Sequence, residues 1–233
     1  GKTDKNGELT VPEVEQTERH GVYIVGYTDG TFGPSRSMTR SEAAAIFARL
    51  LAAKNGDTIS TAANTKFADI PAHAWYSGYV KYLSNNGITY GKNKTIFAPN
   101  DAITRAEFTT MAFRFFDVYG DGDAEIMEQF SGFNDVSSGY WAAEYIKYAA
   151  LHGWINGYGD GSFHADREIN RAEVVTIVNR LLGREADEDY IADNLRKLNT
   201  FPDVTKRHWA YYAVMEAANA HTAVLGESES WSK

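Results

Sequence analysis

Thr104-Arg105-Ala106-Glu107 has two counterparts in this chain: Thr39-Arg40-Ser41-Glu42 precedes it and Asn170-Arg171-Ala172-Glu173 follows it. The arginines recur with a period of about 65 residues, the mark of a structural repeat. Each copy opens an apolar pattern of helical period. Counted from the arginine, positions +3, +6, +7 and +10 are Ala43, Ile46, Phe47 and Leu50, then Phe108, Met111, Ala112 and Phe115, then Val174, Ile177, Val178 and Leu181. Thr39, Thr104 and Asn170 are good N-cap types, and Glu42, Glu107 and Glu173 complete capping boxes. The arginine suits this position poorly, because the helix macrodipole disfavours a first-turn cation by roughly a few tenths of a kcal/mol. Its threefold recurrence points to a task outside the helix.

Upstream of each arginine lies a glycine-rich turn ending in phenylalanine. Gly26-Tyr27-Thr28-Asp29-Gly30-Thr31-Phe32 and Gly157-Tyr158-Gly159-Asp160-Gly161-Ser162-Phe163 share one frame, and Gly91-Lys92-Asn93-Lys94-Thr95-Ile96-Phe97 is a degraded copy. Asp-Gly predicts a tight turn with a residue at positive φ. Phe32, Phe97 and Phe163 keep one offset from their arginines and are expected to plug the core.

A second unit alternates with the first: Phe67-Ala68-Asp69-Ile70 with Trp75, Phe133-Asn134-Asp135-Val136 with Trp141, and Phe201-Pro202-Asp203-Val204 with Trp209. Apolar residues at helical spacing after each tryptophan (Tyr76, Tyr79, Val80, Leu83 in the first) predict short amphipathic helices. The aspartate reads as an acceptor for free donors at the start of that helix. A full repeat is thus a short helix, a turn and a longer Arg-Ala-Glu helix.

Composition narrows the class. The chain has 233 residues, no cysteine and a formal net charge of −8. Disulfides and thiolate metal sites are excluded. The acidic balance argues against nucleic acid, so any bound anion must be met by a local cluster. No stretch approaches the ~18 apolar residues of a membrane-spanning helix. The chain starts at Gly1 rather than methionine, which reads as a fragment or processed piece, with no signal peptide.

Over residues 21–220 these motifs, in this order and register, resemble the S-layer homology domains that hold bacterial surface proteins to the cell wall. The resemblance implies a mainly α fold: three pseudo-threefold-related helical repeats around a central helix bundle, with grooves between neighbours. The expected division is a linker or tail at 1–20, a half repeat at 21–53, full repeats at 67–116 and 133–182, a half repeat at 201–220 that completes 21–53, and a tail at 221–233. Residues 201–220 should then cover Ile46, Phe47 and Leu50, and Gly21 should lie near His221.

The resemblance further implies a non-catalytic anchor at the cell surface that binds an anionic secondary cell-wall polysaccharide, commonly capped by a pyruvylated sugar. A monomeric module fused to an N-terminal cargo domain is expected, with no cofactor, nucleic acid or membrane insertion. By motif match, Arg40, Arg105 and Arg171 bind the acidic sugar. A guanidinium grips a planar carboxylate with two parallel hydrogen bonds, and unpaired backbone N–H groups at the helix start would add donors. The competing reading pairs each arginine with a carboxylate on a neighbouring repeat.

Other candidates are Trp75, Trp141 and Trp209, read either as partly buried anchors or as sugar-stacking platforms, and Lys81 and Lys147, six residues after a tryptophan, where the third unit has Met215. Glu42, Glu107 and Glu173 are better explained by capping than by catalysis. Asp117, Asp121, Gly122, Asp123, Glu125 and Glu128 resemble a calcium loop, but Tyr119 occupies its third ligand position. The six histidines form no short-spaced ligand pair, so no metal is expected. No nucleophile–base pair stands out, which ranks an enzyme below both an anchor and a scaffold whose grooves hold another polypeptide.

Overall fold

Thr39, Thr104 and Asn170 start the three long helices, α1 (Arg40–Asn55), α3 (Arg105–Tyr119) and α5 (Arg171–Leu182), in the computed structural model, which describes residues 16–120, 130–226 and 229–232. In each, the N-cap side chain accepts from the backbone of the glutamate three residues on, and that glutamate accepts from the N-cap N–H. The apolar positions counted from the arginine are buried in all three helices. Phe47 packs against Phe108 and Phe115, with ring centroids 5.3 and 4.9 Å apart, where α1 meets α3.

A triangle of backbone hydrogen bonds fixes the pseudo-threefold arrangement. Met38 N donates to Ile169 O (2.9 Å), Ile169 N to Ile103 O (3.0 Å) and Ile103 N to Met38 O (2.9 Å). All three side chains are fully buried, so the centre is sealed by apolar groups as well as by the bonded backbone. Around it stand the short helices α2 (Ser77–Asn85), α4 (Ala143–Leu151) and α7 (Tyr211–Ala218), each starting two residues after its tryptophan. The fold is mainly α. No described helix is long and apolar enough to cross a membrane.

Two sequence expectations change. The aspartate of Phe-x-Asp does not cap its own helix; it accepts from the turn that follows. Asp69 takes the N–H groups of Phe97 (2.9 Å) and Ala98 (2.6 Å), Asp135 those of Phe163 and His164 (both 2.7 Å), and Asp203 those of Phe32 (2.8 Å) and Gly33 (2.7 Å). Through Asp203, the segment near residue 201 docks on the turn near residue 30. Tyr23 N adds a bond to Ala217 O at 3.2 Å. Yet α7 packs on α5, as α2 packs on α1 and α4 on α3, so the short helix set against α1 is α2 rather than α7.

The first glycine of each turn is required by a ring. A Cβ on Gly26, Gly91 or Gly157 would come within 2.5, 2.5 and 2.4 Å of Phe201, Phe67 and Phe133. Gly30 and Gly161 adopt the expected positive φ, 84° and 80°. In the degraded copy Asn93 supplies the local acceptor for the N–H groups of Thr95 and Ile96, so its turn closes by another route.

Burial raises the Asp135 carboxyl, but the Phe163 and His164 N–H groups outweigh it and hold its pKa below the ordinary carboxylate value. A depressed folded-state pKa means a contribution that is full above the unfolded value, near pH 4, and lost as pH falls through the folded one. Asp135→Asn retains one acceptor and turns an amide N–H toward a backbone donor. We expect a loss of about 1–2 kcal/mol at neutral pH, shrinking in acid, read from denaturant midpoints. An unchanged midpoint at pH 7 would exclude this role.

The second correction concerns the ends. Residues 16–20, expected in a linker, and residues 221–225 and 230–232, expected in a tail, form an antiparallel sheet ordered β1 (Gln16–His20), β2 (His221–Leu225), β3 (Ser230–Ser232). His20 and His221 are register partners, which places Gly21 beside His221. Between α5 and α7, α6 (Glu188–Asn194) buries Ile191. Of the acidic run Asp117–Glu128, residues 121–128 and with them the calcium reading lie outside the described residues.

Candidate functional site: three seams between repeats

Arg40, Arg105 and Arg171 occupy the first helical position of α1, α3 and α5, and each is 4% exposed. Their Nε atoms donate to the carbonyls of Phe97 (2.7 Å), Phe163 (2.9 Å) and Phe32 (2.8 Å), each on the next unit around the ring. Nη1 faces the capping glutamate of that unit: Glu107 at 3.1 Å, Glu173 at 3.3 Å and Glu42 at 3.9 Å. Nη2 of Arg105 and Arg171 reaches Asn156 O (3.2 Å) and Val25 O (2.6 Å). The guanidinium planes lie over Phe97, Phe163 and Phe32, 5.1, 4.5 and 4.6 Å from the centroids. The ring of three units closes through one handshake used three times. This explains why a residue the macrodipole disfavours recurs: its work is done on the neighbour.

The helix starts are correspondingly occupied. Arg40 N and Ser41 N donate to Asp101 O and Pro99 O, Arg105 N and Ala106 N to Arg167 O and Ala165 O, and Arg171 N and Ala172 N to Arg36 O and Pro34 O. These donors serve the inter-repeat joint, so the expectation of backbone donors waiting there for an anion is corrected. Burial draws the Arg105 and Arg171 guanidinium groups below their ordinary pKa, partly offset by Tyr158 and Glu173, and by Tyr27 and Glu42. At physiological pH both keep their charge.

Above each buried arginine the seam opens into a groove. The Arg40 groove has a volume of about 360 Å³, the Arg105 groove about 190 Å³ and the Arg171 groove about 210 Å³. Each is lined by its buried arginine, the capping glutamate of the next unit and a tryptophan from the third: Trp141 with Arg40, Trp209 with Arg105, Trp75 with Arg171. Trp75, Trp141 and Trp209 are 54%, 56% and 66% exposed, so their side chains are accessible rather than buried. Each groove also holds a second arginine, nine residues after a motif arginine: Arg114, Arg180 and Arg49 respectively. Lys81 and Lys147 are exposed and line none of the three; Lys147 borders a separate depression with Phe133 and Val136.

The S-layer homology domain matches this chain three times, at residues 10–44, 66–109 and 132–175. The chain belongs to the S-layer homology family. It is 34% identical over 218 residues to Cell surface glycoprotein 1 of Acetivibrio thermocellus, covering 90% of this chain and 9% of that protein. To the Cellulosome-anchoring protein of the same organism it is 31% identical over 229 residues, covering 97% of this chain and 48% of the relative. Exoglucanase XynX, also from Acetivibrio thermocellus, is 32% identical over 159 residues, 68% of this chain and 14% of that enzyme. The chain thus spans less than half of the length of each of these relatives.

Within this S-layer homology module the seams are not copies of one another. Tyr158 and Tyr27 stand beside the Arg105 and Arg171 guanidinium groups (5.1 and 4.7 Å), where the Arg40 groove has Lys92. The residue four before the motif arginine changes with it. Arg167 bonds Tyr158 and Glu173, and Arg36 covers the Tyr27 ring at 4.1 Å, but Asp101 pairs with Lys92 at 3.3 Å. Tyrosine with arginine has been exchanged for lysine with aspartate, keeping each pair attractive.

The second arginines went unread in the sequence although their signal was present. Arg49, Arg114 and Arg180 fall at one offset in all three repeats, nine residues after the motif arginine and beside the apolar stripe rather than on it. Arg49 lies 4.9 Å from the Tyr79 ring and Arg114 4.8 Å from Tyr90, so their stems lie along aromatic surface while they stay partly or largely open to solvent.

Proposed function

We propose that the three grooves bind an acidic cell-wall polysaccharide and that this module thereby anchors a surface protein non-covalently, acting by binding rather than catalysis. The observation that carries the reading is the pairing, in every groove, of an open tryptophan face with a solvent-accessible arginine above a buried one. A sugar ring presents C–H groups to an aromatic face, and a carboxylate presents two coplanar oxygens to a guanidinium. A pyruvate ketal puts that carboxylate on the sugar itself, so a pyruvylated terminal residue offers both features at once. The relatives' names, a cell surface glycoprotein and a cellulosome-anchoring protein, support a place at the cell surface.

In this reading Arg114, Arg180 and Arg49 make the first contact with the anion, and Arg40, Arg105 and Arg171 hold the groove floor and add positive potential from below. Local charge is what matters, because the chain as a whole carries −8.

Trp141→Ala and Arg114→Ala test the Arg40 groove. Both side chains are accessible, so melting temperature should barely move. Each truncation should weaken that groove by roughly tenfold, or about 1.4 kcal/mol, in calorimetric titration with the isolated wall polymer. Retention on purified walls should fall when the polymer is stripped of pyruvyl groups. Equal retention on walls with and without the polymer would point instead to a polypeptide in the grooves.

A further inference from the structure

Away from the seams, the sheet that joins the two ends of the chain brings four ionisable side chains to one buried point. His20 ends β1, His221 opens β2, Glu229 precedes β3 and Glu216 lies on α7. His20, Glu216 and His221 are 2%, 1% and 4% exposed, and the Glu229 side chain 5%. Their donor atoms all lie within 4.8 Å of one another.

The separations have a specific meaning. His20 Nδ1 is 3.1 Å from His221 Nε2, 3.2 Å from Glu216 Oε1 and 3.3 Å from Glu229 Oε1. His221 Nε2 is 3.2 Å from Glu216 Oε2 and 3.4 Å from Glu229 Oε1. Four ligands held ~2.0–2.1 Å from a tetrahedral ion stand about 3.3 Å apart. Each Glu216 oxygen lies 3.2 Å from an imidazole nitrogen, close enough for an ion pair, but off the line of a well-formed hydrogen bond, an approach that also fits a shared centre.

The surroundings prepare these atoms as ligands. His221 Nδ1 is 3.0 Å from Asn219 O, a contact that places the proton on Nδ1 and leaves the Nε2 lone pair facing the cluster. The His221 ring stacks on Trp231 at 3.8 Å, and Trp231 Nε1 donates to Glu229 Oε1 at 3.1 Å. Glu185 N holds the other Glu229 oxygen at 3.0 Å. Two carboxylates and two neutral imidazoles balance a divalent ion. Without a metal, His20 Nδ1–H can donate to the His221 Nε2 lone pair across the same 3.1 Å, so the metal titration decides between the two arrangements.

We propose that His20, Glu216, His221 and Glu229 form a closed four-coordinate site for a divalent transition metal, zinc foremost, that ties both ends of the chain to α7. Two imidazole nitrogens select against calcium and magnesium, which take oxygen shells. None of the four residues lines a groove, so the site is independent of the groove reading.

The full chain, stripped with EDTA and dialysed against zinc, should retain one zinc per molecule by elemental analysis. Cobalt(II) should give the intense visible absorption of tetrahedral coordination. Zinc at one hundred times its Kd should raise Tm by about 5–10 °C, and calcium should not. Glu216→Gln and the double change His20→Gln with His221→Gln should lose stoichiometric zinc. If these variants do not fold, the stoichiometry and cobalt spectrum of the unaltered chain decide alone. No retained zinc, an octahedral cobalt spectrum, or equal retention by a folded double variant would overturn the site.

Discussion

Removal of residues 201–233 is expected to leave a chain that no longer melts cooperatively. Val204, Val214 and Met215 are buried to 3%, 0% and 1% exposure. At about 1.5–3 kcal/mol for each buried side chain, these three alone contribute roughly 5–9 kcal/mol, comparable with the ~5–15 kcal/mol stability of a whole domain. The cut also strands partners on the side that remains. Phe32 and Gly33 lose the Asp203 carboxylate that holds their N–H groups, Phe32 loses the Phe201 ring 5.3 Å away, and the Asn179 amide loses Ala213 O. Phe32 O is the acceptor for Arg171, so damage at its turn passes directly to one of the three seams. A closed ring has no spare joint, unlike an open array that loses only a terminal unit. Circular dichroism against temperature reads the outcome. A truncated chain that still melts cooperatively within a few degrees of the full one would show that 21–53 and 201–220 are independent.

What the sequence disclosed was what the backbone does locally. Capping boxes, the 3.6-residue stripe after each arginine and the phenylalanine plugs follow from rules acting over a few residues, and each is found where expected. What it concealed joins residues far apart. Asp135 looks like a helix cap because Asp often is one, and nothing near it reveals that its donors are Phe163 and His164. Gln16–His20 reads as a polar linker because Gln16, Thr17, Glu18 and Arg19 are polar and show no sustained period, and only pairing with His221–Leu225 makes it a strand. His20 and His221 show no ligand spacing for the same reason. The arginines lie between these cases. Their recurrence was legible, and the choice between sugar and neighbouring carboxylate was not, since both demand a cation at one position. The structure supplies the carboxylates and moves the accessible charge to Arg49, Arg114 and Arg180.

Arg105→Ala should accordingly be a stability mutation before it is a binding mutation. The side chain satisfies Phe163 O, Asn156 O and the Glu173 carboxylate, and it lies over the Phe163 ring. Removing one partner of a buried ion pair costs about 3–5 kcal/mol, mostly because the groups left behind have lost their solvation and their partner. Glu173 softens this, since Arg167 and Tyr158 also bond it, so the lower end of that range is expected. At Arg40 the Glu107 carboxylate has its own N-cap N–H and only Arg40 as a described ion-pair partner, and Arg40→Ala should cost more. Arg105→Lys keeps the charge but not the fork: one ammonium cannot meet two carbonyls and a carboxylate set in different directions. We expect it to recover less than half of the loss. Chemical denaturation gives the stability, and polymer binding measured well below each variant's melting temperature separates the two roles. If the three buried arginines are chiefly structural, Arg105→Ala loses stability and retains most of its affinity at low temperature, whereas Arg180→Ala does the reverse. Wild-type stability in Arg105→Ala with binding abolished would put the ligand directly on the buried arginine and reverse the assignment of the two rows.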